Sequence, residues 1–427
     1  MRATKSAEQK LLDDAKAAFY LRFPREFITA GRVSHVAPVG HGPDCSLLSP
    51  QDSARQTESG RLATTFPLTE LKTSFITALL LAAGAAGVAA QTGTAPRPAT
   101  GTTQNCSAVT TATCRVAHAL GRGINLGNML DAPREGDWGV KLEPEFIDKA
   151  ASSFQTVRLP VRWSNHAAPT ADATLDEAFA KRVDQAIDAL LAKNVYVVLN
   201  MHHYTQIHGD SQHPNEFAVD PSVLETRLVN MWRQIAMRYK DRSPRLLFEL
   251  LNEPHGRLNG EPWNELSAKT LAVVRQSNPD RIVLIGPGEW NAIPELPKLR
   301  LPKDRNLIAS IHNYDPFAFT HQGADWLATP FPTGVKCCDA GQRKVIADVL
   351  ESARRWNQSS GYPVYLGEFG TFEKVDMASR ESYARTVREE AERRGIGWAY
   401  WELASPSFGM YSPKSGWHEP IRRALLD

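Results

Sequence analysis

Eight short apolar runs alternate with longer amphipathic stretches between Ala119 and Asp427, and no other feature of the sequence constrains the fold as tightly. The runs are Gly121–Asn128, Thr156–Trp163, Val195–His203, Leu246–Glu253, Arg281–Gly288, Asn306–Tyr314, Pro363–Gly370 and Gly397–Leu403. Several are unbroken hydrophobic strings, the pattern of parallel strands covered on both faces. Between them lie helical patterns such as Leu175–Asn194, where apolar residues recur at three and four, and Arg380–Gly395. Eight strands alternating with helices over about 300 residues predict the α/β class and a single (β/α)8 TIM barrel. The alternative is an open doubly wound sheet, but no Gly-rich phosphate loop follows the first run.

In such barrels the C-terminal strand ends carry function and the N-terminal ends carry stability. The C-terminal ends here supply Asn125, Arg158, His202 with His203, Asn252 with Glu253, Trp290, His312 with Tyr314, Glu368 and Trp401. Glu253 and Glu368 stand 115 residues apart, each at the abrupt end of an apolar run. A carboxylate so placed is rigidly held yet reaches ligand. Two on one rim suit glycoside hydrolysis, one as proton donor and the other as nucleophile or base. The competing reading is two solvated residues where strands meet loops. For Glu253 to donate near neutral pH, burial and a second carboxylate must raise its pKa. Glu368 must stay ionised, through the charge of Arg158 and the Tyr314 hydroxyl.

Strict alternation would turn Asn252 and Glu253 to opposite faces, so the strand is expected to end or bulge there. Glu249 shares the face of Glu253 one step deeper and reads as a buried structural acid. His202 and His203 are adjacent, hence expected on opposite faces, and no metal or cofactor is expected. His312 and Tyr314, two apart, share a face. His321 and Gln322 fall on the loop after the sixth strand, where substrate contacts are expected. Trp138, Trp290, Trp326 and Trp401 are candidates for stacking on sugar rings.

Of the 49 basic and 47 acidic residues, 10 and 8 lie in residues 1–90, which leaves 39 of each. With no basic excess and no polybasic run, neither nucleic acid nor an anionic membrane is expected as partner. Residues 71–90 carry one Lys, an apolar stretch from Phe75 and a terminal Val88-Ala89-Ala90, the layout of a secretory signal cleaved before Gln91. A secreted monomer is expected. Residues 1–70 look unrelated to the rest of the chain and read as an upstream extension outside the mature protein; the rival is a cytoplasmic extension with Phe75–Ala90 as an uncleaved anchor. Residues 91–114 are rich in Thr, Ala, Pro and Gly and read as a flexible lead-in, with the barrel over 115–427. Cys106, Cys114, Cys337 and Cys338 lie beyond the signal, an even number that fits disulfides. Three pairings are open, with Cys106–Cys114 and the adjacent pair favoured. About 26 residues come after Trp401, too few for a carbohydrate-binding module.

From about Gly121 to Trp401 the chain resembles glycoside hydrolase family 5, the retaining endo-β-1,4-glucanases and β-mannanases. Asn252-Glu253-Pro254 resembles that family's acid/base motif, and Gly367-Glu368-Phe369-Gly370 its nucleophile motif. Arg158, His202, His312 and Tyr314 fall where the family has supporting residues. Trp401 matches its aromatic platform, and Phe319–Trp326 resembles a run in bacterial endoglucanases. The resemblance implies that Asn252 contacts the sugar 2-hydroxyl. It also implies a retaining endo-β-1,4-glucanase acting on β-1,4-linked polysaccharide, with a β-mannanase as the near alternative and a non-catalytic carbohydrate-binding barrel as the distant one.

Overall fold

The computed structural model describes residues 103–212 and 215–427. The expected upstream extension, the signal segment and the first part of the lead-in lie outside the described residues. Eight parallel strands close into a barrel in sequence order: β1 (Arg122–Asn125), β2 (Thr156–Val161), β3 (Tyr196–Met201), β4 (Leu246–Glu249), β5 (Val283–Ile285), β6 (Leu307–His312), β7 (Val364–Glu368) and β8 (Gly397–Tyr400). Closure is direct, with Gly123 beside Thr156 of β2 and Ala399 of β8. Each strand falls inside one of the eight apolar runs. Helices Glu177–Ala192 and Met377–Arg393 occupy the two amphipathic stretches read from the sequence.

The solid apolar strings reflect two separate cores. Along β3, Val197 and Leu199 face outward into the layer between strands and helices, while Val198 joins Leu247, Leu284, Ile308, Tyr365 and Ala399 inside the barrel. Because side chains alternate along a strand, Arg158 of β2 faces inward as well, level with Val198 and Leu247. One layer on, Asn200 and Glu249 pair in register. The barrel interior is therefore apolar at one level and polar at the next, towards the strands' C-terminal ends.

The described part of the expected lead-in departs from expectation, because it is anchored. Gln104, itself buried, mimics a strand neighbour to β7: its Nε2 donates to the Val364 carbonyl at 2.9 Å and its Oε1 accepts from the Val364 N–H at 2.6 Å. Asn357 Nδ2 donates to the Asn105 carbonyl at 2.7 Å. Cys106 and Cys114 form a disulfide, and Thr110 caps the helix Thr111–Ala119, whose Ala117 joins Leu120 in packing against the barrel's inner apolar layer. Composition carries no signal for these long-range polar contacts. Cys337 and Cys338 form the second disulfide, the favoured pairing. Replacing Gln104 by Ala is expected to destabilise the fold by about 1–3 kcal/mol, since both polar groups of Val364 lose their buried partner. A lowered thermal midpoint with the disulfides intact checks this.

Candidate active site

At the C-terminal end of the barrel a cleft opens between the strand ends. Asn252, Glu253, Tyr314 and Glu368 line it together with His202 and His203. Trp401, Phe408, Asn128 and Ser407 complete its walls.

The site is organised from below by Arg158, which is fully buried and spends its donors on four side chains. Its Nε donates to Glu249 Oε2 at 2.6 Å and its Nη1 to Glu368 Oε1 at 2.6 Å and to Asn125 Oδ1 at 3.0 Å. Nη2 donates to Asn252 Oδ1 at 2.7 Å. Burial works against the guanidinium's charge, but Glu249 and Glu368 outweigh it and raise the pKa. With its oxygen engaged, Asn252 turns its amide NH2 to the cleft as a donor. Glu249, the expected structural acid, also accepts from Asn200 Nδ2 at 2.9 Å and Ser310 Oγ at 2.6 Å.

That network fixes a histidine tautomer. Asn200 gives its amide to Glu249, so its oxygen accepts from His202 Nδ1 at 2.8 Å. Burial, with the neighbouring His203 and Arg158, holds His202 well below its ordinary pKa, so the ring is neutral and Nε2 is an acceptor. The ring lies parallel to Trp401, 5.3 Å between centroids.

Glu253 and Glu368 are supported differently. Glu368 ends β7 and accepts from Arg158 and, at 2.9 Å, from the Tyr314 hydroxyl. Burial and the neighbouring Glu368 charge push the Tyr314 hydroxyl well above its usual pKa, so it stays a donor. Glu253 lies beyond β4, which ends at Glu249, and has φ +49°. The strand thus ends before Asn252–Glu253, as expected, and left-handed backbone costs a non-glycine residue about 1–2 kcal/mol. His312 Nδ1 lies 2.8 Å from Glu253 Oε1, while its Nε2 faces the Asn291 amide at 3.4 Å. Burial and Arg158 hold His312 well below its ordinary pKa, so a neutral ring donates from Nδ1 to Glu253. One oxygen of each glutamate and a His312 nitrogen lie within 4.8 Å of one another.

Several expectations need correction. Arg158 and Tyr314 bond Glu368 as expected, but burial outweighs both and, with a smaller contribution from the nearby Glu249 charge, pushes its pKa up to about 7. His202 and His203 do not point to opposite faces: β3 ends at Met201, both line the cleft, and their rings are 4.5 Å apart. With Asp131 they offer three ligand atoms within 4.8 Å, so the geometric argument against a metal there does not hold. Asn125 is enclosed, its amide donating to the carbonyls of Gly367 and Tyr400, and acts as a support rather than a ligand contact. His321 and Gln322 are buried in their own loop: His321 bonds Thr320 and stacks on Phe317, and Gln322 brackets Val335 with both amide ends. Trp290 stacks on His255, and Trp326 packs edge-on to Phe372, so neither lines the cleft. Trp138 packs edge-on to His203.

Other site groups escaped the sequence reading because they sit on loops past the strands. Asn128 Nδ2 donates to Glu402 Oε1 at 2.6 Å, and Ser405 bonds the same oxygen. Glu402 Oε2 has no hydrogen-bond partner, and burial drives the pKa well above the carboxylate range. Gly127 makes room for it, since a Cβ there would lie 2.4 Å from that oxygen. A Gly before a polar loop residue was the only signal available.

The family model for cellulase, glycosyl hydrolase family 5, matches residues 121–407, which spans all eight strands. Endoglucanase H of Acetivibrio thermocellus is 35% identical over 284 residues, 66% of this chain and 29% of that protein. Endoglucanase A of Clostridium longisporum is 30% identical over 319 residues, 67% of this chain and 58% of that protein. The chain thus spans less than two thirds of the length of these curated relatives. Among solved structures, Thermotoga maritima Cel5A in complex with mannotriose is 39% identical with TM-score 0.69, covering 73% of this chain and 99% of that one. Sequence, barrel and paired glutamates agree, and the chain belongs to the cellulase family, glycosyl hydrolase family 5.

Proposed function

We propose that this chain is a retaining endo-β-1,4-glucanase that cleaves internal bonds of β-glucans by double displacement. The supporting observation is the pair of glutamate oxygens within 4.8 Å of each other, one at the end of β7 and one on the loop after β4. Retaining enzymes hold their carboxyl groups about 5–5.5 Å apart, whereas inverting enzymes need about 6.5–9.5 Å to admit a water. In the first step Glu368 attacks the anomeric carbon while Glu253 gives its proton to the departing glycosidic oxygen. In the second, Glu253 takes a proton from water, which displaces Glu368 and restores both residues. His312 donates to Glu253 Oε1 and orients the carboxyl for proton transfer. Asn252 presents its NH2 to the sugar 2-hydroxyl, His202 offers an acceptor, and Trp401 stacks on the pyranose face.

A second substrate calls for a direct test because the Thermotoga maritima relative was solved with mannotriose. Reducing-sugar release from carboxymethyl-cellulose and from galactomannan, measured side by side, ranks the two. The glucanase reading expects the former to be faster, and activity unchanged by EDTA. No release from either polymer would favour the non-catalytic barrel.

The proposed mature protein is a secreted monomer that begins near Gln91 and contains the barrel over 115–427. Among the described residues no helix is long and apolar enough to cross a membrane. N-terminal sequencing of the exported protein should read from Gln91; an intact upstream segment would favour the anchor.

The two glutamates predict opposite stereochemistry in rescue. Glu368→Ala should abolish turnover, and azide should restore it with inverted configuration by attack from the vacated face. Glu253→Ala should still form the glycosyl-enzyme from an activated aryl glycoside, and azide should speed its breakdown with retained configuration. Exchanged outcomes would reverse the roles, and near-normal activity of both variants on polymer would remove the site altogether.

The pH profile provides an independent check. With Glu368 near 7, kcat/KM should fall on the acid side below about pH 7, because protonation removes the nucleophile. Tyr314→Phe deletes a donor that favours the charged form, so the pKa rises and the acid limb moves to higher pH. A bond to a charged group contributes about 1.5–3 kcal/mol, which corresponds to a displacement of about one to two pH units.

A further inference from the structure

Glu253 is reached by His312 at its carboxylate, but that contact leaves its left-handed backbone unsupported. The backbone is gripped elsewhere. His255, two residues on, turns its Nδ1 back to the Glu253 carbonyl at 2.6 Å. Its Nε2 meets Asp210 Oδ2 at 2.9 Å, on the loop that follows β3. A carbonyl only accepts, so Nδ1 carries a hydrogen, and a carboxylate accepts as well, so the remaining proton of the pair lies between Nε2 and Asp210. The imidazole is further held between two rings: His208 lies 4.1 Å away and Trp290 4.7 Å away, within 18° and 16° of parallel.

The two loops are in close contact at the same place. Gly256 has φ +56°, and a Cβ there would lie 2.4 Å from the His208 carbonyl oxygen. Arg257 Nη2 donates to the Gln206 carbonyl at 2.9 Å, and the Trp290 N–H donates to the Pro254 carbonyl at 3.2 Å. His255 and Asp210 are 5% and 15% exposed at their side chains, and neither lines the cleft.

We propose that the His255–Asp210 pair is a positioning device for Glu253, through which the loop after β3 sets the orientation of the acid/base on the loop after β4. The inference rests on the reading of Glu253 as proton donor. A loosened Glu253 carbonyl lets the carboxyl swing off the glycosidic oxygen, while Glu368, bonded to Arg158 and Tyr314, stays in place. The defect should then be confined to steps that need proton transfer.

The test compares Asp210→Asn with wild type on two aryl cellobiosides, one with a 2,4-dinitrophenyl leaving group and one with phenyl. Dinitrophenolate departs without a proton, whereas phenolate requires one. Asp210→Asn should lower kcat/KM on the phenyl substrate by about 10–100-fold, within the range typical of general acid catalysis, and leave the dinitrophenyl substrate within about two-fold. On the latter, kcat and KM should fall together as the glycosyl-enzyme accumulates, and azide should restore kcat. Asp210→Glu should recover part of the phenyl activity. The ratio of the two kcat/KM values is independent of how much enzyme is folded, so partial unfolding does not obscure the result. An unchanged ratio in Asp210→Asn and in His255→Gln would overturn the proposal. Glu253→Ala, run in parallel, separates the two readings: if it alone shifts the ratio, the positioning role fails, and if it also leaves the ratio unchanged, Glu253 is not the acid.

Discussion

The buried guanidinium of Arg158 is the interaction on which the rest of the site depends. A charge taken out of water at the centre of a barrel requires compensation, and Glu249 and Glu368 both supply it at 2.6 Å. Removing one partner of such a buried pair typically costs about 3–5 kcal/mol, because the other charge is left without compensation. Arg158 therefore joins fold and chemistry in one group. Its contact with Glu249 ties β2 to β4, its contacts with Asn125 and Glu368 tie β2 to β1 and β7, and Asn252 is oriented by what remains.

From this centre, orientation passes outward by hydrogen-bond valence. Glu249 accepts only, so Asn200 shows it an amide NH2, hence an oxygen to His202, hence an acceptor nitrogen to the cleft. Ser310 completes the set from β6. Each step leaves one way to satisfy a buried group, and burial makes an unsatisfied alternative costly. The same low-dielectric surroundings keep His202 and His312 neutral and lift Glu368 towards 7. The cleft is thus lined by side chains that are polar but, the two glutamates aside, largely uncharged.

The barrel and its rim were legible in the sequence because strand ends obey period two. Arg158, Glu249 and His312 lie on or at the end of strands, where alternation fixes the face, and their placement followed from it; Glu368 stands three residues past the inward Tyr365 and faces the cleft because the register of β7 against β6 shifts between Ile311 and His312. The reading failed one or two residues past a strand. His203 was assigned the wrong face because β3 stops at Met201, after which alternation no longer applies. His321 and Gln322 were assigned to the cleft on loop membership and Trp326 on its aromatic ring, yet their loop folds on itself around Phe317, Phe372 and Val335. The anchoring of Gln104 and the Asn128 contact of Glu402 depend on partners 260 and 274 residues away, beyond any local pattern. The raised pKa of Glu368 escaped for a different reason: its two donors were identified, but the depth of its burial was not.

The two glutamates also differ in what holds them, and the difference arises from where each strand stops. Glu368 is the last residue of β7, so the ladder to β6 fixes its backbone, and His312 lies opposite it in register. Glu253 is four residues beyond the end of β4, just past the last backbone bond to β3, from the Asn252 N–H to the Met201 carbonyl, and its backbone is left-handed. In the proposed mechanism Glu368 attacks the same carbon at every turnover, a task well served by a strand. Glu253, which there gives a proton in one step and takes one in the next, is served by support from the backbone side. The His255 contact to its carbonyl supplies that support, and His312 meets its carboxylate.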